Sequence, residues 1–232
     1  MPFLVGFGLL LLVLLYGVQV WTRKTLKEHA VNRADLPSAG GEFAQQLLSQ
    51  LDLPHVTVES VPQWQDHYDS DSKSVRLSDS NLAGRSLTAL VVAAHEVGHA
   101  IQDKENYKPL RARQVLHQRG KKIEYAGSAI LLTGGMAVSM LQNPLLLRGL
   151  ALLVLPCMAF RVVTSFLSLP LELDASFKRA LPLLRNHLSR ADMTEARKIL
   201  AACAMTYVAN AASNLFNLWR WAALLFVRRF RF

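Results

Sequence analysis

From Ala126 to Leu147 the chain carries no charged residue, and from Leu145 to Leu169 only Arg148 and Arg161 interrupt an apolar run. Each stretch matches or exceeds the roughly 20 residues a helix needs to cross hydrocarbon. In lipid every backbone N–H and C=O must be satisfied within the segment, so both stretches read as helices, and Gly134-Gly135 is tolerable there. Gln142-Asn143-Pro144 between them has turn composition. The reading is a membrane hairpin over 126–169, with Arg148 near its turn and Arg161 either snorkelling or paired inside. Two buried helices of a soluble core are the alternative, and charge-free length weighs against it. Met1–Val20 is also apolar, and Trp21, Arg23, Lys24 and Lys27 follow it. Charges after the run, and no small-x-small cleavage site, favour a retained transmembrane helix over 1–21 rather than a signal peptide.

The chain has 232 residues, 51% of them apolar, and a net charge of +9. The basic residues lie beside the apolar spans, crowding 23–33 and 104–122 and returning from Lys178 to Lys198. That is the positive-inside pattern, with residues 22–125 facing the cytoplasm and the N-terminus outside. No aromatic-basic platform points to nucleic acid. The two cysteines, Cys157 and Cys203, sit in apolar segments and suit neither a disulfide framework nor a metal site. Ile199–Leu218 could span as a further helix, with Trp219, Arg220 and Trp221 at an interface. A span there would put the basic tail Arg228–Arg231 outside, whereas a helix lying in the interface keeps it inside. Three or four transmembrane helices remain open.

Between the first span and the hairpin, Phe43, Ala44, Leu47, Leu48 and Leu51 form a helical stripe, with Ser38 as a candidate cap. His55–Val61 and Val75–Ser78 alternate as short strands, making a small β hairpin or sheet. Asp66–Ser74 has turn composition, and its Asp69 and Asp71 lack the glycine and glutamate of a calcium loop. An edge strand before the next helix would suit an extended peptide added as a further strand.

That next helix, about 86–103, carries Ala94-His95-Glu96-Val97-Gly98-His99-Ala100. Four-residue spacing puts both imidazoles on one face, where neutral histidines suit one zinc ion per chain. A catalytic site adds a third protein ligand and an open position for water. Glu96, beside that position, is placed to take the water's proton. Surrounding small apolar residues mark the helix as buried, so these polar groups need partners there.

Candidates for the third ligand are Glu124, Glu172, Asp174, Asp192, Glu195, His117 and His187. Glu172 is preferred, because Pro170 reads as the first turn of a helix where the chain returns from the hairpin. An acidic first-turn residue favoured by the helix dipole is the competing reading. Asp174 is a candidate to steer a ligand imidazole, and Ser176 shares the face of Glu172. Asp192-Met-Thr-Glu195 has the form of a capping box. Tyr207, Tyr68 and His67 are candidate donors to an oxyanion.

Asp66-His-Tyr-Asp69, Val75-Arg-Leu-Ser78, Ala94–Gln102, Leu169-Pro-Leu-Glu-Leu-Asp-Ala-Ser176 and Ala204-Met-Thr-Tyr-Val-Ala209 together resemble the YugP-like bacterial membrane zinc metallopeptidases, in order and over nearly the whole chain. The resemblance implies a mainly α, integral-membrane, zincin-like fold in one peptidase unit, whose last part, 170–232, holds a glutamate helix and the C-terminal helix. It implies His95, His99 and Glu172 as zinc ligands and Glu96 as base. It also implies an endopeptidase acting on membrane or misfolded proteins. The layout is similar to the heat-shock protease X type, which often carries aspartate where this chain has Ser176. A metal-binding, non-proteolytic membrane adaptor is the alternative, though a purely structural site has no need of Glu96. A lipid-binding basic surface protein would depend instead on 104–122 and the basic tail.

Overall fold

The computed structural model describes residues 2–226, so the basic tail Arg228–Arg231 lies outside the described residues. Its helices are α1 (Pro2–Glu28), α2 (Gly40–Gln50), α3 (Asp79–Leu82), α4 (Leu87–Lys104), α5 (Lys108–Leu141), α6 (Pro144–Leu173), α7 (Leu181–Leu184) and α8 (Arg190–Phe226). A π-helical stretch, Asp174–Ala180, joins α6 to α7 without a loop. Three short strands, β1 (Thr57–Val61), β2 (His67–Asp69) and β3 (Ser74–Ser78), form one sheet in the order β1-β3-β2. β1 runs parallel to β3 and β2 antiparallel to it.

The core surrounds α4. Leu87, Leu90 and Val97 of α4 pack with Phe43 and Leu47 of α2, Val75 and Leu77 of β3, and Ile199 and Leu200 of α8. Leu90, Phe43, Leu77 and Ile199 are fully buried, which places the strongest hydrophobic contribution directly behind the histidine face. Ser86 caps α4, its hydroxyl accepting from the Ala89 amide at 3.2 Å.

The long helices form a separate layer in which α5 packs on α6, and α6 and α1 on α8. Gly120, Gly127 and Gly134 recur every seven residues along α5. A Cβ at any of them would crowd Phe160, Cys157 or Leu150 of α6, so glycine is what lets the backbones approach. Among the described residues two helices, Leu145–Leu184 and Arg190–Ala222, are long and apolar enough to cross a membrane, and the apolar part of α5, Tyr125–Leu141, is shorter. Only 22% of the most apolar window of the first and 33% of that of the second is buried, unlike the core helix of a soluble protein. Leu132, Met136, Met140, Leu152 and Leu153 point outward.

Several local expectations need correction. His67–Asp69, which has turn composition, is a strand, and it makes Val75–Ser78 central rather than an edge. Pairing with β3 overrides the composition, and the turn shrinks to the residues before Ser74. Pro170 lies inside α6 rather than opening a helix, so Glu172 ends a helix that began in the hairpin. Ala39, not Ser38, occupies the cap position of α2, and the buried Ser38 hydroxyl has no hydrogen-bond partner. At the start of α8 the cap is Ser189, whose Oγ accepts from the Asp192 amide at 3.2 Å, so Asp192 stands inside the helix. The Gln142-Asn143 turn is as expected, with Gln142 left-handed at φ 45° and the Asn143 side chain accepting from Leu145 N at 2.9 Å.

Candidate metal centre

Helical spacing on α4 brings His95 and His99 into edge-to-face contact, with ring centroids 4.8 Å apart. Ala93, Ala94 and Val97 of the same helix are fully buried in the core. Glu172, 1% exposed, enters from the end of α6. Its Oε2 lies 3.2 Å from His95 Nε2 and 3.3 Å from His99 Nε2, yet this buried oxygen has no hydrogen-bond partner. One ligand atom from each of the three residues lies within 4.8 Å of the others.

Partners behind the ligands decide what those nitrogens can do. Gln102, fully buried, donates through Nε2 to the Leu171 carbonyl at 3.0 Å and to Asp174 Oδ2 at 2.8 Å. Both partners only accept, so the Gln102 amide is oriented with Oε1 toward His99 Nδ1, 2.9 Å away. His99 must then donate from Nδ1, which leaves its Nε2 lone pair toward Glu172. His95 Nδ1 meets Ser176 Oγ at 3.2 Å, which likewise points Nε2 at the same place. The far oxygen of Glu172, Oε1, accepts from Arg113 Nη1 at 2.8 Å. The Nε2 atoms of two imidazoles and an orphaned buried carboxylate oxygen converging on one point form a donor set that suits a zinc ion.

Asp174 therefore steers a candidate ligand indirectly, through Gln102. Arg179 Nε donates to the same Asp174 oxygen at 2.9 Å, and Arg179 Nη1 pairs with Glu105 at 2.8 Å. The π-helical stretch makes this convergence possible because α4 approaches it closely at Gly98. A Cβ there would come 2.9 Å from the Ala175 carbonyl oxygen.

Two cavities, of about 380 Å³ and 450 Å³, reach this centre. The first lies between β2 and α5 and includes Glu96, His99 and Glu172 in its lining. The second, between α1 and α8, includes His95 and Glu96. Glu96 borders both, and burial pushes its carboxyl up to about 7, the nearby Glu172 carboxylate adding to that while His95 opposes it. Tyr207 also borders both cavities. Tyr68 borders the first, but its hydroxyl donates to Asp103 Oδ2 at 2.7 Å. His67 borders the same cavity, exposed, with Nδ1 2.6 Å from the Gln65 carbonyl.

Of the other ligand candidates, Asp192 pairs with Arg33 and Glu195 with Lys198 and His29, and His187 packs edge-on to Phe43. The side chains of His117 and Glu124 lie outside the described residues. Sequence reasoning missed Gln102, Arg113, Gln114 and Arg179. Only Gln102 carried a signal, standing three residues after His99 and so on its face of the helix.

No solved structure matches the chain. It is 31% identical over 216 residues to a Bacillus subtilis (strain 168) protein named "Putative membrane protease YugP", a match covering 90% of this chain and 92% of that relative. Residues 4–226 match the protein family described as "Putative neutral zinc metallopeptidase". A His–Glu–His helix that meets a buried glutamate is the geometry such a name calls for, and the chain belongs to that neutral zinc metallopeptidase family.

Proposed function

We propose that this protein is a membrane-embedded, zinc-dependent endopeptidase whose centre faces the cytoplasm and whose substrates are membrane or misfolded proteins. The observation that carries the reading is the orphaned Glu172 Oε2 between two imidazoles whose outer nitrogens are already engaged. His95, His99 and Glu172 would hold the ion. Bound there, zinc supplies a Lewis acid that polarises a carbonyl and lowers the pKa of water to about 7. Glu96 takes the proton of the attacking water and returns it to the departing amine. Arg113, by engaging Glu172 Oε1, would leave Oε2 as the oxygen offered to an ion.

The substrate is read as an extended strand. β2 pairs with β3 along one edge and borders the Glu96 cavity, so a peptide added along its other edge would cross the catalytic carboxylate. The outward apolar faces of α5 and α6 support the bilayer placement, since exposed apolar area on this scale needs a cover. The name of the Bacillus subtilis relative agrees with it.

The decisive experiment measures cleavage of an unfolded model protein by the detergent-purified full chain and by Glu96→Gln, with bound zinc quantified in both. Equal zinc with cleavage only by the unaltered chain is expected. Stoichiometric zinc without cleavage by either would favour a non-proteolytic adaptor, and absence of zinc in both would end the metal reading.

A further inference from the structure

Beside the metal centre a third cavity, of about 340 Å³, opens between α5, α6 and α8. It shares Arg113 and Tyr207 with the cavity that holds Glu96 and Glu172, so the two adjoin. From Tyr207 it extends along α8 past Asn210 and Ser213 to Asn214, facing Thr164, Ser165 and Ser168 of α6. Such polarity is out of place in helices this apolar. On the same turns of α6, Val163 is 52% and Phe166 48% exposed. Val163 and Phe166 look outward while the hydroxyls and amides line the cavity, together with the apolar Leu116 and Phe160.

We propose that this cavity is a substrate subsite, holding the unwound backbone of a membrane-protein segment as it passes from the bilayer to the metal centre. The proposal rests on the endopeptidase reading and names its substrate class. A segment leaving helical structure within apolar surroundings exposes N–H and C=O groups that must find partners. The cavity wall carries amides and hydroxyls. Ser165 Oγ donates to the Arg161 carbonyl at 2.8 Å and accepts from Asn214 Nδ2 at 2.7 Å. Ser168 Oγ donates to the Thr164 carbonyl at 3.0 Å, which leaves its oxygen able to accept from a peptide N–H.

Length agrees as well. Tyr207 to Asn214 covers two helical turns, about 10 Å. That distance accommodates roughly three residues of extended peptide. The wall chemistry argues against a lipid headgroup: Arg113 is the charged residue of this lining, and it already serves Glu172. Neutral amides and hydroxyls suit a peptide backbone better than a phosphate.

The test compares two substrates carrying one cleavable stretch, in one preparation of zinc-loaded full-length enzyme reconstituted in liposomes. In one substrate the stretch adjoins a single transmembrane segment. In the other it is fused to an unfolded soluble carrier. Asn214→Leu and Ser213→Leu fill the cavity with apolar bulk, and their zinc content and melting temperature are measured alongside. The expected result is that the ratio of spanning-substrate to carrier cleavage falls about tenfold, the worth of one or two backbone hydrogen bonds. An unchanged ratio in either folded variant, or an unaltered enzyme that cleaves the carrier and ignores the spanning substrate, overturns the subsite and leaves the peptidase standing. An unaltered enzyme that cleaves neither substrate overturns the peptidase reading itself.

Discussion

Arg113 of α5 and Glu172 of α6 meet at 2.8 Å across the junction of two cavities, and the pairing occupies one carboxylate oxygen while leaving the other without a hydrogen bond. A buried carboxylate with only half its capacity satisfied is costly unless something cationic completes it. The pair therefore divides one side chain between two tasks, anchoring to the protein and presenting a donor atom.

The network behind His99 predicts a metal-affinity effect at a distance. Asp174 has no hydrogen bond to an imidazole, but it holds the Gln102 amide that orients one. Asp174→Asn and Gln102→Ala are each expected to weaken zinc binding about 10- to 100-fold. Competition with a chromogenic chelator reads this directly, and wild-type affinity in both variants would remove the network from the account.

Gly98→Ala is expected to destabilise the fold by about 1–3 kcal/mol, the usual cost of added bulk in a packed contact. The added carbon would face a backbone oxygen of the π-helical stretch at 2.9 Å, and backbone cannot swing aside as a side chain can. Thermal unfolding in detergent checks the cost, and an unchanged midpoint contradicts the close approach.

Gln114 offers a different kind of test. Its Nε2 is buried without an acceptor, and the residue borders the cavity containing Glu96. An amide in that state gains a partner when a peptide carbonyl enters. Gln114→Ala is expected to raise KM for peptide about tenfold while leaving thermal stability equal or slightly higher. Loss of stability with unchanged KM would show a purely structural role.

Acid sensitivity follows from the link between the segment after α1 and the start of α8. Hydrogen bonds from Arg33 Nη1 at 2.6 Å and Ser189 Oγ at 2.7 Å hold the Asp192 carboxyl below its ordinary value of 3.8. A carboxylate whose folded pKa is depressed contributes stability above the unfolded value and loses it as pH falls through the folded one. Asp192→Asn is therefore expected to be less stable than the unaltered chain at neutral pH. That gap should close as pH drops from 3.8 toward the lower folded value. Circular dichroism melts across that range decide it, and a gap that persists in acid assigns the effect to packing.

Sequence carried the histidine-bearing helix because its information is periodic: His95 and His99 four apart, with apolar residues between and around them. Glu172 depended on family resemblance, since a lone glutamate after an apolar run also suits a helix terminus. Arg113 was hidden among the basic residues of 104–122, where charge alone explains its presence. β2 was hidden by its brevity, because three residues of turn-like composition become a strand only through pairing with β3. Pro170 misled for a physical reason. It marks helix starts in water-soluble contexts, but neighbouring helices can satisfy the backbone it frees, and α6 runs through it.

The order of the donors along the chain has a consequence for biosynthesis. His95 and His99 leave the ribosome first, and Glu172 follows only after all of the α5–α6 hairpin has been made. Until then the nascent polypeptide has two of its three donors and no Arg113–Glu172 clamp. Under the peptidase reading, the complete donor set would exist only once the hairpin has been made, a delay set by the order of the elements along the chain.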